Sequence, residues 1–178
     1  MKIALFSSAE LNISEENKKL AKKLAKYLKK YEVTLVTGGS LGIPSFIVEE
    51  YRALGGKTMM YSPDICPASH NKRFDNHNIR YYDEVVFAGG FTNRSLQIIE
   101  AVDGAIALNG RTGTLCESLI AIEEALPLIV LDGAGGVSEH FSQIVKFTDK
   151  KPFGFLEIGS SYGNQIDKLI SHIKNHSS

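Results

Sequence analysis

The sequence predicts an α/β fold, a single-domain three-layer sandwich with a parallel sheet of about seven strands. Three observations predict it. Short apolar runs alternate with helical patterns along the whole chain, the signature of strand–helix–strand units with helices covering both faces of one sheet. No internal repeat, low-complexity segment or linker interrupts that alternation. A chain of 178 residues, 43% of them hydrophobic, is the size of one domain and can bury a sizeable core. The arrangement is Rossmann-like and is expected to span residues 1–178.

Taken in order, "KIALF" is the first strand, and the stretch around it is too brief for a secretory signal. In "SEENKKLAKKLAKYLKKY", Leu20, Leu24, Tyr27, Leu28 and Tyr31 recur at helical spacing. Ser14 is its N-cap, and Glu15 and Glu16 suit the positive end of the helix dipole. Its lysines at 18, 19, 22, 23, 26, 29 and 30 form a solvated outer face opposite an apolar stripe. "VTLVT" is the second strand. The helix from about Ile43 carries Ile47, Tyr51 and Leu54 on one face and stops at Gly55–Gly56. After the strand "KTMMYS" comes the least regular stretch, "SPDICPASHNKRFDNHNIRYYD", read as a surface loop over the site with His70 and His77 exposed. "EVVFA", "GAIAL", "LPLIVL" and "FGFLEI" complete the strands, with helices after Thr92, Thr112 and Val137 and a last one near Gln165–Lys174. The glycines of "DGAGGVSEH" read as a flexible turn into the helix after Val137.

Composition narrows the function classes. Twenty basic and twenty acidic residues cancel, so no net cationic character favours nucleic acid or an anionic membrane. The apolar stretches are far short of a membrane span. Cys66 and Cys116 form no CxxC, and histidines are not clustered. No metal site and no cofactor are therefore expected, and the usage fits a reducing, cytoplasmic setting. Cys116 reads as a small buried hydrophobe.

Ligands of such sheets bind at the loops leaving the carboxyl ends of the strands. Three of those loops are rich in small residues. The first, "FSSAE", offers Ser7 and Ser8; the second, "TGGSLGIPS", offers Gly38, Gly39, Ser40 and Gly42. The fifth strand runs into "NGRTGT", where Gly110, Arg111, Thr112, Gly113 and Thr114 open a helix carrying Glu117. Backbone N–H groups gathered at such a helix start hold phosphate, and a carboxylate one turn on adds chemistry to binding. There is neither a GxGxxG after the first strand nor a GxxxxGKS/T anywhere, which argues against an ordinary dinucleotide site and a P-loop. Ser7, Ser8 and Ser40 are individually as well suited to capping helices. Arg94 and Glu117 also admit a purely structural reading, an ion pair tying two helix starts together. Arg111 is expected to reach over the anion site as a second positive charge beside Arg94.

The segment "NGRTGTLCE" resembles the PGGxGTxxE motif of the LONELY GUY (LOG) family, long mislabelled lysine decarboxylase, whose superfamily includes molybdenum-cofactor carrier proteins. Gly110, Gly113, Thr114 and Glu117 fall on the motif, and Arg94 lies at the family's spacing upstream of the glutamate. The loops "FSSAE" and "LVTGGSLGIPSFIVEEYRALGGKT" resemble the family's first two loop regions, so the likeness covers about three-quarters of the chain. Asn109, Arg111 and Ser95 replace the family's proline, glycine and lysine. The resemblance implies a nucleoside 5′-monophosphate phosphoribohydrolase that releases free base and ribose 5-phosphate, with Glu117 and Arg94 as catalytic residues. It implies alternatively a non-catalytic carrier of a nucleotide or molybdopterin-type cofactor. It also implies a homodimer, which the apolar Leu115, Leu119, Ile120 and Ile122 around more than one helix face support.

Overall fold

A computed structural model of the chain describes residues 1–74, 79–148 and 152–176. All seven expected strands form, and all are parallel: β1 (Lys2–Ser7), β2 (Thr34–Thr37), β3 (Lys57–Ser62), β4 (Glu84–Phe87), β5 (Gly104–Leu108), β6 (Leu128–Leu131) and β7 (Leu156–Gly159). Their spatial order is β4-β3-β2-β1-β5-β6-β7. The sheet therefore grows one way from β1 through β2 and the other way from β5. The loops leaving β1 and β5 part at that reversal, the place where open sheets of this kind bind ligands.

The helices are α1 (Glu15–Lys29), α2 (Ile43–Ala53), α3 (Pro67–Arg73), α4 (Phe91–Ala101), α5 (Thr112–Glu123), α6 (Phe141–Phe147) and α7 (Tyr162–His176). One face of the sheet is packed by α1, α2 and α7 through Leu24, Leu28, Ile47, Tyr51, Ile166 and Leu169. The other is packed by α4, α5 and α6 through Ile98, Ile99, Ala121 and Phe141. Strands such as β5 and β6 are buried along their whole length, because helices cover both their faces. Ser14 caps α1 by accepting the Asn17 N–H at 3.1 Å. The lysine face is exposed for most of its length and locally neutralised, with Lys18 on Glu15, Lys22 on Glu50 and Lys29 on Glu32.

The stretch between β3 and β4 departs from the expected loop. Pro67–Arg73 forms α3, Ile79–Tyr81 a single 3₁₀ turn, and His70 is fully buried rather than exposed. Pro67 supplies a preset φ at the first turn, and the His70 ring packs on Phe74 at 4.8 Å between centroids. The His70 Nδ1 also meets the Ser62 hydroxyl at 2.9 Å, and burial pushes its pKa down. His77 lies outside the described residues.

Candidate functional site

The site begins where β5 ends. Asn109 has φ of 57° and Gly110 of 90°, so the chain turns through two left-handed residues before α5. Proline cannot adopt Asn109's conformation, because its ring fixes φ near −65°. The Asn109 side chain instead locks the turn. Its Nδ2 donates to the Ala134 carbonyl at 2.5 Å, and its backbone N–H donates to Ser138 Oγ at 3.0 Å. A Cβ at Gly110 would stand 2.2 Å from Thr114 Oγ1, so glycine there makes room for the threonine to fold back over the turn.

No side chain caps the first turn of α5. Its leading amides are therefore open to an anion. Thr112 and Gly113 are exposed, whereas Thr114 is buried. Beside this turn lies an open cleft of about 480 Å³ bounded by Gly110, Arg111, Thr112, Leu115 and the Gly136–His140 segment.

Arg94 and Glu117 meet although 23 residues separate them. Arg94 stands in the first turn of α4 and Glu117 in the second turn of α5, and these two helices pack side by side. Arg94 Nη2 donates to Glu117 Oε1 at 2.8 Å, and the two side chains are only 11% and 9% exposed. Ser95 Oγ donates to the same oxygen at 3.0 Å. The serine at the family's lysine position is thus a positioning group for the carboxylate. Among the described residues Glu117 Oε2 receives no protein donor. Burial pushes the Glu117 carboxyl above its usual range; the Arg94 charge and the two hydrogen bonds pull the other way without cancelling it.

Arg94 is held from beneath by the second loop. Its Nη1 donates to the Gly38 carbonyl at 3.3 Å, and a Cβ on Gly38 would stand 2.9 Å from the guanidinium carbon. Only glycine allows that approach. Above, the guanidinium carbon sits 5.3 Å from the centroid of the Phe91 ring. Arg94 Nε is buried and has no acceptor among the described residues, which is costly unless something else supplies one.

The remaining candidates divide. Gly39 is buried with φ of 66° against Met60 and His70, and Ser40 is half-buried beside it. Ser7 Oγ donates to the Leu108 carbonyl at 2.8 Å, and Ser8 Oγ accepts the Glu10 N–H at 3.2 Å. Both serines are engaged with backbone, Ser7 with strand β5 and Ser8 within the loop after β1, and neither caps a helix. Arg111 is 69% exposed at its side chain and pairs with Glu10 at 3.1 Å across the first loop. Cys116 is exposed, not buried, because it falls on the outer side of α5 while Glu117 and Ser118 turn inward. The glycine loop after β6 is pinned rather than free: Glu139 Oε1 accepts the Gly133 and Gly135 N–H groups at 2.6 and 2.9 Å. Sequence reasoning passed over Phe91, Ser95 as a ligand of Glu117, and the Asp64–Arg73 pair, in which Arg73 Nε donates to both carboxylate oxygens at 3.0 and 2.9 Å. Position alone marked them, since each lies in the loop or first helix beyond a strand's carboxyl end. Among the described residues no cluster of three or more His, Cys, Asp or Glu is placed to hold a metal ion. No helix among them is long and apolar enough to cross a membrane.

A family model described as the SLOG cluster4 family matches residues 1–159. Among solved structures, the structural-genomics target TM1055 is 23% identical, with a TM-score of 0.76 over 96% of this chain and 98% of that one. The molybdenum cofactor carrier protein of Chlamydomonas reinhardtii is 18% identical, with a TM-score of 0.72 over 97% of this chain and 98% of that one. The single-stranded-DNA-binding DNA processing protein A of Helicobacter pylori is 21% identical, with a TM-score of 0.63 over 96% of this chain and 80% of that one. At these identities the likeness is one of fold. No curated protein matches the chain.

Proposed function

The chain belongs to the SLOG cluster4 family, and from that premise we propose that it is a nucleoside 5′-monophosphate phosphoribohydrolase. The observation that carries this reading is the buried Arg94–Glu117 pair beside an uncapped helix start, with the carboxylate held through Oε1 alone. The 5′-phosphate lies on the amides of Gly113 and Thr114, with the Thr114 hydroxyl. Glu117 then lies along the ribose, and the Gly38–Ser40 loop forms the floor.

Breaking the N-glycosidic bond leaves positive charge on the ribose ring, at C1′ and the ring oxygen. Glu117 Oε2 stabilises that charge and accepts a proton from the attacking water, whose oxygen bonds to C1′. The bonding pair leaves with the base, which is protonated from solvent, giving free base and ribose 5-phosphate. Arg94 and Ser95 fix the carboxylate's position, and Arg94 Nε has a hydrogen bond to give to the ligand. Burial raises the Glu117 pKa, so its carboxylate is a stronger base than a solvent-exposed one, which suits that proton transfer. Incubating the protein with AMP, CMP and GMP and measuring free base tests the reading; no base from any of them would overturn it.

One observation favours a second reading, a carrier that holds the nucleotide or a molybdopterin-type cofactor unchanged. Ser95 replaces a cation by a neutral donor at Glu117, so the site has one fewer positive charge to keep that buried carboxylate ionised. The carrier-protein fold neighbour accords with this. Binding without release of base separates the two.

We also expect a homodimer through α4 and α5. Leu115, Leu119, Ile120 and Ile122 remain only partly buried in the single chain, and Leu96 on α4 is 41% exposed beside a groove shared with Ile99 and Leu126. The two free cysteines suit a cytoplasmic location. The ion-paired lysines of α1 support a solvated face in preference to a nucleic-acid surface.

A further inference from the structure

Beyond the Arg94–Glu117 pair the same sheet edge carries a second guanidinium. Arg73, at the end of α3, is held through Nε by both oxygens of Asp64, a residue only 5% exposed. The Asp64 backbone is anchored on both sides, since its N–H donates to Ser62 Oγ at 3.0 Å and its backbone carbonyl accepts the Gly89 N–H at 3.2 Å. The Arg73 guanidinium carbon lies 5.5 Å from the centroid of the Phe91 ring, the same ring that Arg94 approaches at 5.3 Å. Among the described residues neither terminal nitrogen of Arg73 bonds a protein acceptor. The result is a preorganised fork with both ends unused.

Two apolar side chains stand exposed beside it. Phe91 is 54% and Ile65 78% exposed, and Ile65 packs over Gly89, two residues before Phe91. Isolated exposed apolar residues need no explanation, but two flanking a charged fork at a ligand edge form a surface suited to a flat ring. Running outward from α5, the order is phosphate-binding turn, Glu117, Arg94, Phe91, Arg73. A nucleotide laid along it places its phosphate first and its base last.

We propose that Arg73 is the base-reading residue of this site and selects a 6-oxopurine. Its two terminal N–H groups match the adjacent O6 and N7 acceptors of guanine, whereas adenine offers N7 beside an amino donor that opposes the fork. The adjacent oxygen and nitrogen of a pterin ring present the same acceptor pair, so the shared chemistry is an oxo-heterocycle on a phosphorylated carrier. The inference rests on the placement of the phosphate under the proposed function.

The experiment is titration calorimetry of the full chain with GMP, AMP, ribose 5-phosphate and neopterin monophosphate, on wild type and Arg73→Lys. Lysine keeps the charge and a partner for Asp64 but has no planar fork, and an unchanged melting temperature checks that the variant folds. Wild type is expected to bind GMP about tenfold or more tighter than AMP. Arg73→Lys should erase that preference and leave ribose 5-phosphate affinity unchanged. Asp64→Asn, which loosens the fork without removing it, should lose part of the preference. Tighter binding of neopterin monophosphate than of GMP supports the proposal and assigns the pterin as source. Equal GMP and AMP affinities in wild type overturn it. So does a parallel loss of ribose 5-phosphate binding in Arg73→Lys, which would make Arg73 a phosphate ligand. If wild type binds none of the four, including ribose 5-phosphate, the phosphate placement itself fails and the base-reading role fails with it.

Discussion

Replacing Glu117 by Gln removes one charge and almost no volume, and it should change stability little while it costs most of the turnover. The Gln carbonyl can still accept from Arg94 Nη2 and Ser95 Oγ, the two donors now at 2.8 and 3.0 Å. Lost are the charge assistance of those bonds and the counter-charge for an arginine that is 11% exposed. Gained is relief from holding a carboxylate in a site where burial has already raised its pKa above the ordinary 4.5. Breaking a buried pair outright costs about 3–5 kcal/mol. Here Arg94 keeps a neutral acceptor, the Gly38 carbonyl and the Phe91 ring, so the net change at pH 7 should stay within about 2 kcal/mol. Turnover, by contrast, should fall roughly 10²-fold or more, the usual worth of a general base or of charge stabilisation at the reacting centre. Because the folded-state pKa is raised, the group's contribution to stability is fully present below 4.5 and is lost as pH rises through the folded value. Wild-type stability should therefore decline over that window while activity climbs as the base ionises. Thermal melts and base release, both followed from pH 4 to 8, are the assay, and Glu117→Gln should flatten both profiles. Turnover equal to wild type would remove Glu117 from catalysis, and an unchanged stability slope would refute its assignment as the buried titrating group.

The other substitutions probe the supports of this pair. Gly38→Ala places a Cβ 2.9 Å from the Arg94 guanidinium; ribose 5-phosphate binding or turnover should drop at least about tenfold while stability falls by roughly 1–3 kcal/mol, and unchanged kinetics would mean that Arg94 tolerates displacement. Asn109→Pro demands a φ that the turn does not have and deletes the bond to Ala134, so urea denaturation should show a loss of at least about 2 kcal/mol; a variant as stable as wild type would disprove the left-handed turn. Arg111→Gly removes an exposed pair with Glu10, worth at most about 1 kcal/mol, and calorimetry with nucleoside mono- and diphosphates should show little change; a large loss of affinity would return Arg111 to the anion site. Light scattering at micromolar concentration should give the mass of a dimer, and a monomer would show that the apolar α4–α5 surface has another use.

Local chemistry settled the strands and most of the helices, though not α3. Apolar runs bounded by turn residues became the seven strands, Ser14 became the α1 cap, and the β5–α5 turn with its downstream glutamate was readable because a glycine-rich helix start followed by a carboxylate has a short-range signature. Arg94 and Glu117 were legible only as a spacing. What makes them a pair is the packing of α4 against α5, which brings two first-and-second-turn side chains to 2.8 Å, and no local pattern encodes that contact. The same limit explains the errors. His70 lies in a polar stretch that reads as loop, yet α3 turns it onto Ser62 and Phe74; Cys116 lies one residue from a buried glutamate, yet the helical rotation puts it outside. Arg111 pairs with Glu10 from a loop about a hundred residues earlier in the chain, another contact that no local pattern encodes. The Asp64–Arg73 fork and its shared aromatic, Phe91, exist only because parallel strands deliver the β3 and β4 loops to one edge. Sequence specifies such groups one at a time; their distances, burial and shifted acidities belong to the sheet that assembles them.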